Sequence, residues 1–568
     1  PISVENGGKI NYQSGAINLG DERYGALIDG AASVIDFGGN DITVGEKSVA
    51  VMLQNGGQLN NTLHNINVGK AGVGIYLADA TNIISPASRT INLSENATGI
   101  YGDNGGNIQL DGNILSVSDG AKGIASKNSA LSTIENAGNI DLSGKASVGM
   151  YGEGIDTIKN NAGKTIKVGE SNTATGKAGV ALFGLNSSAL LNEGTLEFGK
   201  GAAGIYGENI SSGIENRTGA MITNNGQTNG TGIFAKNSLV ENRGDILLGD
   251  TSNGIYAENG QIDNYGNVTA GNEKSSGLFG AGTAAVNHNS GTVTVGANSV
   301  ALASENGNII NNSILTSTGE GSTYIYSKNG NGETNAALTL TDKSVGMYGQ
   351  SGVMTNNNII TVGKSDVAAK EFSVGMATES GKIVNTAGAQ IIVGKEAGVG
   401  MFASGVEVKH PDGTTTYGPS GTAENYGTID VTGLKAYGML GTNGATVYNA
   451  ATGIINVDGT GAKGIIGTND ANIINDGIVN VNGAGSQGIY IERGATLTNT
   501  GQINVNGDGK IGVFIGMGSS FVNTAGITIS SGGTTVFDGG GTLANIGDIV
   551  IDGPTATVNG ITINNTGK

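Results

Sequence analysis

The phrase Gly74-Ile75-Tyr76-Leu77 returns along the whole chain, and its spacing restricts the fold more than any other feature. It recurs as Gly99-Ile100-Tyr101-Gly102, Gly149-Met150-Tyr151-Gly152, Gly204-Ile205-Tyr206-Gly207, Gly254-Ile255-Tyr256-Ala257, Gly346-Met347-Tyr348-Gly349 and Gly488-Ile489-Tyr490-Ile491. With the small residue as marker, the series runs from Gly25 through Ala50, Gly74 and Gly99 to Gly512, Tyr324 being its one large member. Nineteen steps cover 487 residues, roughly 25.6 residues each, a period that marks solenoids. An unbroken repeat overrides the several globular domains that 568 residues would otherwise suggest, because each unit packs only on its neighbours. A single continuous array over 1–568 is therefore expected. Repeat-like sequence begins by Lys9–Leu19 and still runs at Asn564-Asn565-Thr566-Gly567, so the chain reads as a piece of something longer.

Each unit holds three short β-like pieces. The first is the Gly-Ile-Tyr phrase. The second leads an apolar residue into Asn, as in Ile134-Glu135-Asn136 and Val240-Glu241-Asn242. The third alternates after a glycine, as in Gly138-Asn139-Ile140-Asp141-Leu142, which puts Ile140 and Leu142 on one face and Asn139 and Asp141 on the other. Runs this short and rich in Gly do not make helices. The predicted fold is all-β: a right-handed, three-sided parallel β-helix of roughly 25 residues per turn and about 22 turns.

Two columns read as structural ladders. Asn136, Asn216, Asn242, Asn264, Asn475 and Asn499 hold one place before a turn, where Asn tolerates the left-handed conformation and stacked amides bond from turn to turn. Tyr76, Tyr101, Tyr151, Tyr206, Tyr256 and Tyr348 hold another, with Phe in intervening units. In each rung Gly is expected to permit a close turn, Ile to fill the core and Tyr to stack. The alternative roles are a polar binding track for the Asn column and an exposed ligand-binding stripe for the aromatic one.

Composition narrows the function classes. A net charge of −18 with few basic residues disfavours nucleic acid and anionic membranes as partners, since both demand clustered Lys and Arg. No apolar run approaches the roughly 20 residues of a transmembrane helix. The absence of Cys fits either chance or an export route on which a stray disulfide would block passage. A β-helical polysaccharide-active enzyme would gather carboxylates beside basic residues, and no short window does so. No Gly-x-Ser-x-Gly elbow is present, and His64, His288 and His410 are too far apart in a solenoid to share a metal or a triad. The expectation is no catalytic residue, no metal, no cofactor and no enzyme.

The longest interruption lies between Gly400 and Gly438. Its extra stretch, 406–420, places two apolar-polar arms around Pro411-Asp412-Gly413, a hairpin signature. Insertions in solenoids map to projecting loops, often on the binding side. Lys409, His410, Asp412 and Tyr417 are accordingly the candidate ligand contacts. Smaller expansions fall at 169–177, 224–231 and 364–372.

The phrases Gly204–Asn209 (Gly-Ile-Tyr-Gly-Glu-Asn), Gly254–Gly260 and Asn475–Val481 resemble the passenger region of large fusobacterial autotransporter adhesins of the RadD type. The likeness is one of repeat style along the whole chain. It implies export through the outer membrane by a C-terminal β-barrel, absent from this sequence, and display at the bacterial cell surface. It further implies adhesion to a host receptor or glycan, or to another bacterium. A stalk that only spaces a distal module, and a polysaccharide-active enzyme, are the other readings.

Overall fold

The computed structural model describes residues 2–59, 64–79, 83–85, 89–104, 106–282, 286–507, 509–516 and 518–523, together with the backbone of short strands between 527 and 565. Those residues are all-β with no helix, a parallel β-solenoid of about 20 turns. Two compact units divide the chain, Pro1–Ala285 and Val286–Lys568.

In the first unit the turns around residue 240 show the plan. Strands Ala203–Glu208, Gly213–Asn216 and Met221–Thr223 form one turn, and Thr231–Lys236, Val240–Asn242 and Asp245–Leu247 the next. Each pairs in parallel with its equivalent, so Ile205 lies beside Ile233, Asn216 beside Asn242 and Ile222 beside Ile246. Ile205, Ile214 and Ile222 are fully buried, one from each face, and build the narrow core. The second unit repeats the plan: Met439, Val447 and Ile455 are buried and pair with Ile465, Ile473 and Val479 one turn on. Like residues stack because in-register pairing puts each side chain on its own kind, about 4.8 Å away.

The glycine of the rung does a different job from the one expected. Gly74 and Gly99 lie inside strands Val73–Ala78 and Thr98–Asp103, not at turns. A Cβ on Gly74 would stand 2.6 Å from the carbonyl oxygen of Gly99, and one on Gly99 2.6 Å from that of Gly123. Glycine is required here by the approach of the next turn's backbone. Gly74 and Ile75 are both buried, so the strand takes one irregular step before Tyr76 faces outward.

The Asn column also needs correction. Asn136, Asn216, Asn242 and Asn264 end strands, and none has a positive φ. They are fully buried and form a continuous amide chain. Asn136 Nδ2 donates to Asn160 Oδ1 at 2.8 Å, Asn160 to Asn192 at 3.0 Å, Asn192 to Asn216 at 2.8 Å, and Asn216 to Asn242 and Asn242 to Asn264 each at 2.7 Å. In the second unit the chain runs from Asn356 through Asn385, Asn425, Asn449 and Asn475 to Asn499 and Asn523. The left-handed conformation belongs to a separate, exposed corner column, Asn186, Asn209 and Asn237, with φ of 48°, 55° and 49°. Those amides are linked at 2.9 Å. A ladder sealed in the interior offers no track to an outside ligand.

Candidate functional site

The aromatic column faces outward and is half-buried. Its rings pair face to face along the axis: Phe183–Tyr206 at 4.7 Å between centroids, Tyr206–Phe234 at 4.9 Å, Phe234–Tyr256 at 5.3 Å, with interplanar angles of 16°, 9° and 6°. Tyr151 and Phe279 extend this stack, while Tyr76 and Tyr101 form a separate pair at 5.5 Å, because Ala125 occupies the rung between Tyr101 and Tyr151. In the second unit Tyr348 stacks on Tyr326 at 5.7 Å. Rings that cover one another present edges to solvent, whereas a sugar stacks on a ring face.

Burial raises the phenols of this column. Tyr151 is pushed up to about 12 by burial and by its hydrogen bond to Glu153 Oε2 at 2.7 Å, and Tyr490 to about 12 by burial and Glu492 at 2.7 Å. Because the folded value lies above the unfolded one, near 10, the associated stability is complete below pH 10 and lost as pH rises through about 12. In an ultraviolet titration, Tyr151→Phe is expected to delete one late-ionising phenol and leave the absorbance change below pH 11 unaltered.

Successive turns also assemble a charged groove of about 400 Å³ that no sequence window shows. Arg217 bridges Glu193 and Glu215, Lys159 reaches Glu193 at 3.2 Å, and Arg243 pairs with Glu241 and lies 4.5 Å over the Tyr265 ring. Glu193, Arg217 and Arg243 are 24 to 26 residues apart and hold the same place in consecutive units. Aligning the repeats by column would have revealed the cluster. Burial pushes Glu193 up, but Arg217 and Lys159 hold it below the ordinary value. Asp29, Glu153, Asp342 and Asp412 are likewise displaced downward. A glycosidic general acid needs the opposite shift. Among the described residues no three His, Asp or Glu side chains gather as metal ligands.

Two of the smaller expansions close in the same way. Asn172 bridges Lys177 in 169–177, and Asp366 bridges Glu371 in 364–372. Ser171 Oγ donates to Gly201 O and accepts from Gly179 N, just as Ser365 Oγ donates to Ala397 O and accepts from Ser373 N.

Among the described residues the long insertion is the one element that leaves the solenoid surface as an antiparallel hairpin of its own. Strand Val399–Lys409 runs out of the wall and returns as Thr415–Ser420, antiparallel, with Glu407 opposite Tyr417, Val408 opposite Thr416 and Lys409 opposite Thr415. The turn is closed by Gly413 N–H to the His410 carbonyl at 3.0 Å. Asp412 Oδ1 accepts from Thr414 N at 2.9 Å and Thr414 Oγ1 at 2.6 Å, which holds its carboxyl low. Residues 406–416 are exposed throughout.

This geometry divides the four candidate contacts. Cross-strand partners share a face, so Glu407, Lys409 and Tyr417 lie on one side, with Lys409 Nζ 3.6 Å from Glu407. His410 Nε2 is 2.7 Å from Thr416 Oγ1, on the side of Val408, and Asp412 is spent on the turn. Lys409 and Tyr417 are brought together; His410 and Asp412 are not part of their surface.

A parallel solenoid whose ladders are satisfied internally, and whose insertion is an open hairpin, is a β-helix of the pectate lyase-like class, a term that describes the fold. Residues 211–459 match the family described as the BigA third pectate lyase-like domain. The matched stretch contains Glu215, Arg217, Glu241 and Arg243 of the charged groove and the whole hairpin, while Lys159 and Glu193 precede it. No curated protein and no solved structure matches the chain.

Proposed function

We propose that the chain is a surface-displayed bacterial adhesin segment, an autotransporter passenger of the RadD type, that attaches its cell to a host receptor or glycan or to another bacterium. Export through the outer membrane and attachment by a separate β-barrel belong to this reading. The observation that carries it is the hairpin 405–420: the columns of the wall bond to themselves, whereas the hairpin holds charged and aromatic side chains in solvent. The match to the BigA domain supports the class. On this reading the chain is a binding protein and not an enzyme, and the downward displacement of its perturbed carboxyls agrees with that.

The test is excision of 406–420. Gly421 N–H donates to the Ser404 carbonyl at 2.8 Å, so the ends to be joined, Gly405 and Gly421, are adjacent and the wall is expected to stay closed. Cells displaying the shortened chain are expected to lose attachment by about tenfold or more, as when the central contacts of an interface are removed. Far-ultraviolet circular dichroism and the melting transition should not change. Undiminished attachment would sink the proposal in favour of a stalk that spaces a distal module.

A further inference from the structure

The outgoing strand of the hairpin leaves its outer edge open, and the register identifies what fits it. His410 N–H donates to the Thr414 carbonyl at 2.9 Å, so the backbone groups of Val408, two residues earlier, also face the return strand. Those of Glu407 and Lys409 face the other way, into solvent. Among the described residues no strand pairs with that outer edge. An exposed edge carrying Val406 and Val408, 41% and 40% accessible, is a template for another strand.

We propose that this edge pairs with the same edge of a second copy of the chain, antiparallel about a twofold axis at Val408. Pairing in that register sets Glu407 opposite the partner's Lys409 and Lys409 opposite the partner's Glu407. The backbone groups that point outward are those of Glu407 and Lys409, so both of these pairs are hydrogen-bonded and give four main-chain bonds. Val408 meets the partner's Val408 on the opposite face, at the closer spacing of a pair without such bonds. Centring on Glu407 or on Lys409 instead would set like charges face to face, which is destabilising. The edge is thus self-complementary in one register, as a twofold interface requires.

The contact is short by construction. Pro411 has no N–H to extend it, and the irregular step between Gly405 and Glu407 ends the regular pairing on the other side. A single pair of chains therefore associates weakly, and dense display on two surfaces would multiply the effect. The inference does not depend on adhesion to a receptor, since it is read on purified protein.

Sedimentation velocity across a concentration series tests it on the full chain. The parent is expected to show reversible dimerisation. Glu407→Lys alone and Lys409→Glu alone should each weaken it by roughly tenfold or more, because both opposed pairs become like-charged. An equimolar mixture of the two variants should recover dimerisation, since an edge with two lysines then meets one with two glutamates. The double exchange in one chain should self-associate like the parent. A parent that stays monomeric, single variants that dimerise unchanged, or a mixture that fails to recover would each overturn the proposal. Excision of 406–420 that abolishes dimerisation but not cell attachment would leave this inference standing and remove the adhesin reading alone.

Discussion

Asn216→Ala is expected to lower stability by about 2–6 kcal/mol, since two buried polar groups lose a partner and each such loss costs about 1–3 kcal/mol. Asn216 accepts from Asn192 Nδ2 at 2.8 Å and donates to Asn242 Oδ1 at 2.7 Å, all three residues being fully buried. The damage should be local, because a solenoid turn is held by its neighbours. Native-state hydrogen exchange should therefore speed up most between residues 192 and 242 and little in 1–110. The companion variant Asn216→Asp adds a pH signature. A protonated carboxyl donates one hydrogen bond and accepts another, as the amide does, but a buried carboxylate is strongly disfavoured. Its folded pKa is raised above the unfolded value near 3.9. The contribution is then complete below about pH 4 and lost as pH rises through the folded value. Relative to the parent, the Asp variant should match at pH 4 and be weakest at pH 8. Equal stability of the two at pH 8 would show that the ladder is hydrated and not sealed.

Gly232→Val is expected to be as damaging, by about 3 kcal/mol or more, for a steric reason. A Cβ at Gly232 would lie 2.5 Å from the carbonyl oxygen of Gly254 and 2.8 Å from Ile246 Cγ2. The turn spacing is fixed by ladders of hydrogen bonds on three faces, so the neighbouring turn cannot back away without breaking some of them. The adjacent outward position is the control: Thr231→Val, half-buried, should stay within about 0.5 kcal/mol. Ala50 and Ala181 occupy the same column elsewhere, so one methyl is tolerable where the local backbone has adjusted. The branched side chain tests the limit. Comparable denaturation midpoints for Gly232→Val and Thr231→Val would refute close approach as the reason for the glycine column.

Both variants probe columns that were visible in the sequence but whose physical role was not. Asn242 could be assigned to a repeated place before a turn, and that much was legible. Whether it lay at the corner in a left-handed conformation or inside as the last residue of a strand depended on where the strand ends, and the Asn-x-Gly steps at these places, such as Asn242-Arg243-Gly244 and Asn264-Tyr265-Gly266, suit either. The hairpin was legible through Pro411-Asp412-Gly413. The split that puts Lys409 beside Tyr417 and sends His410 to Thr416 was not, because it rests on the cross-strand register. The groove of Glu193, Arg217, Glu241 and Arg243 escaped a search by windows, since no local stretch contains it.

The period of roughly 25.6 residues determined the fold by itself, because parallel in-register stacking is the arrangement in which like residues recurring at that interval all find one another. It also determined the columns, which are nothing more than positions modulo the period. What only the tertiary structure decided is which way each column faces and what it touches. One irregular step in the strand turns Gly74 and Ile75 inward together and leaves Tyr76 outside. Strand alternation has a period of two, so a single added residue inverts every direction that follows it, and the composition of the repeat does not record where that residue falls.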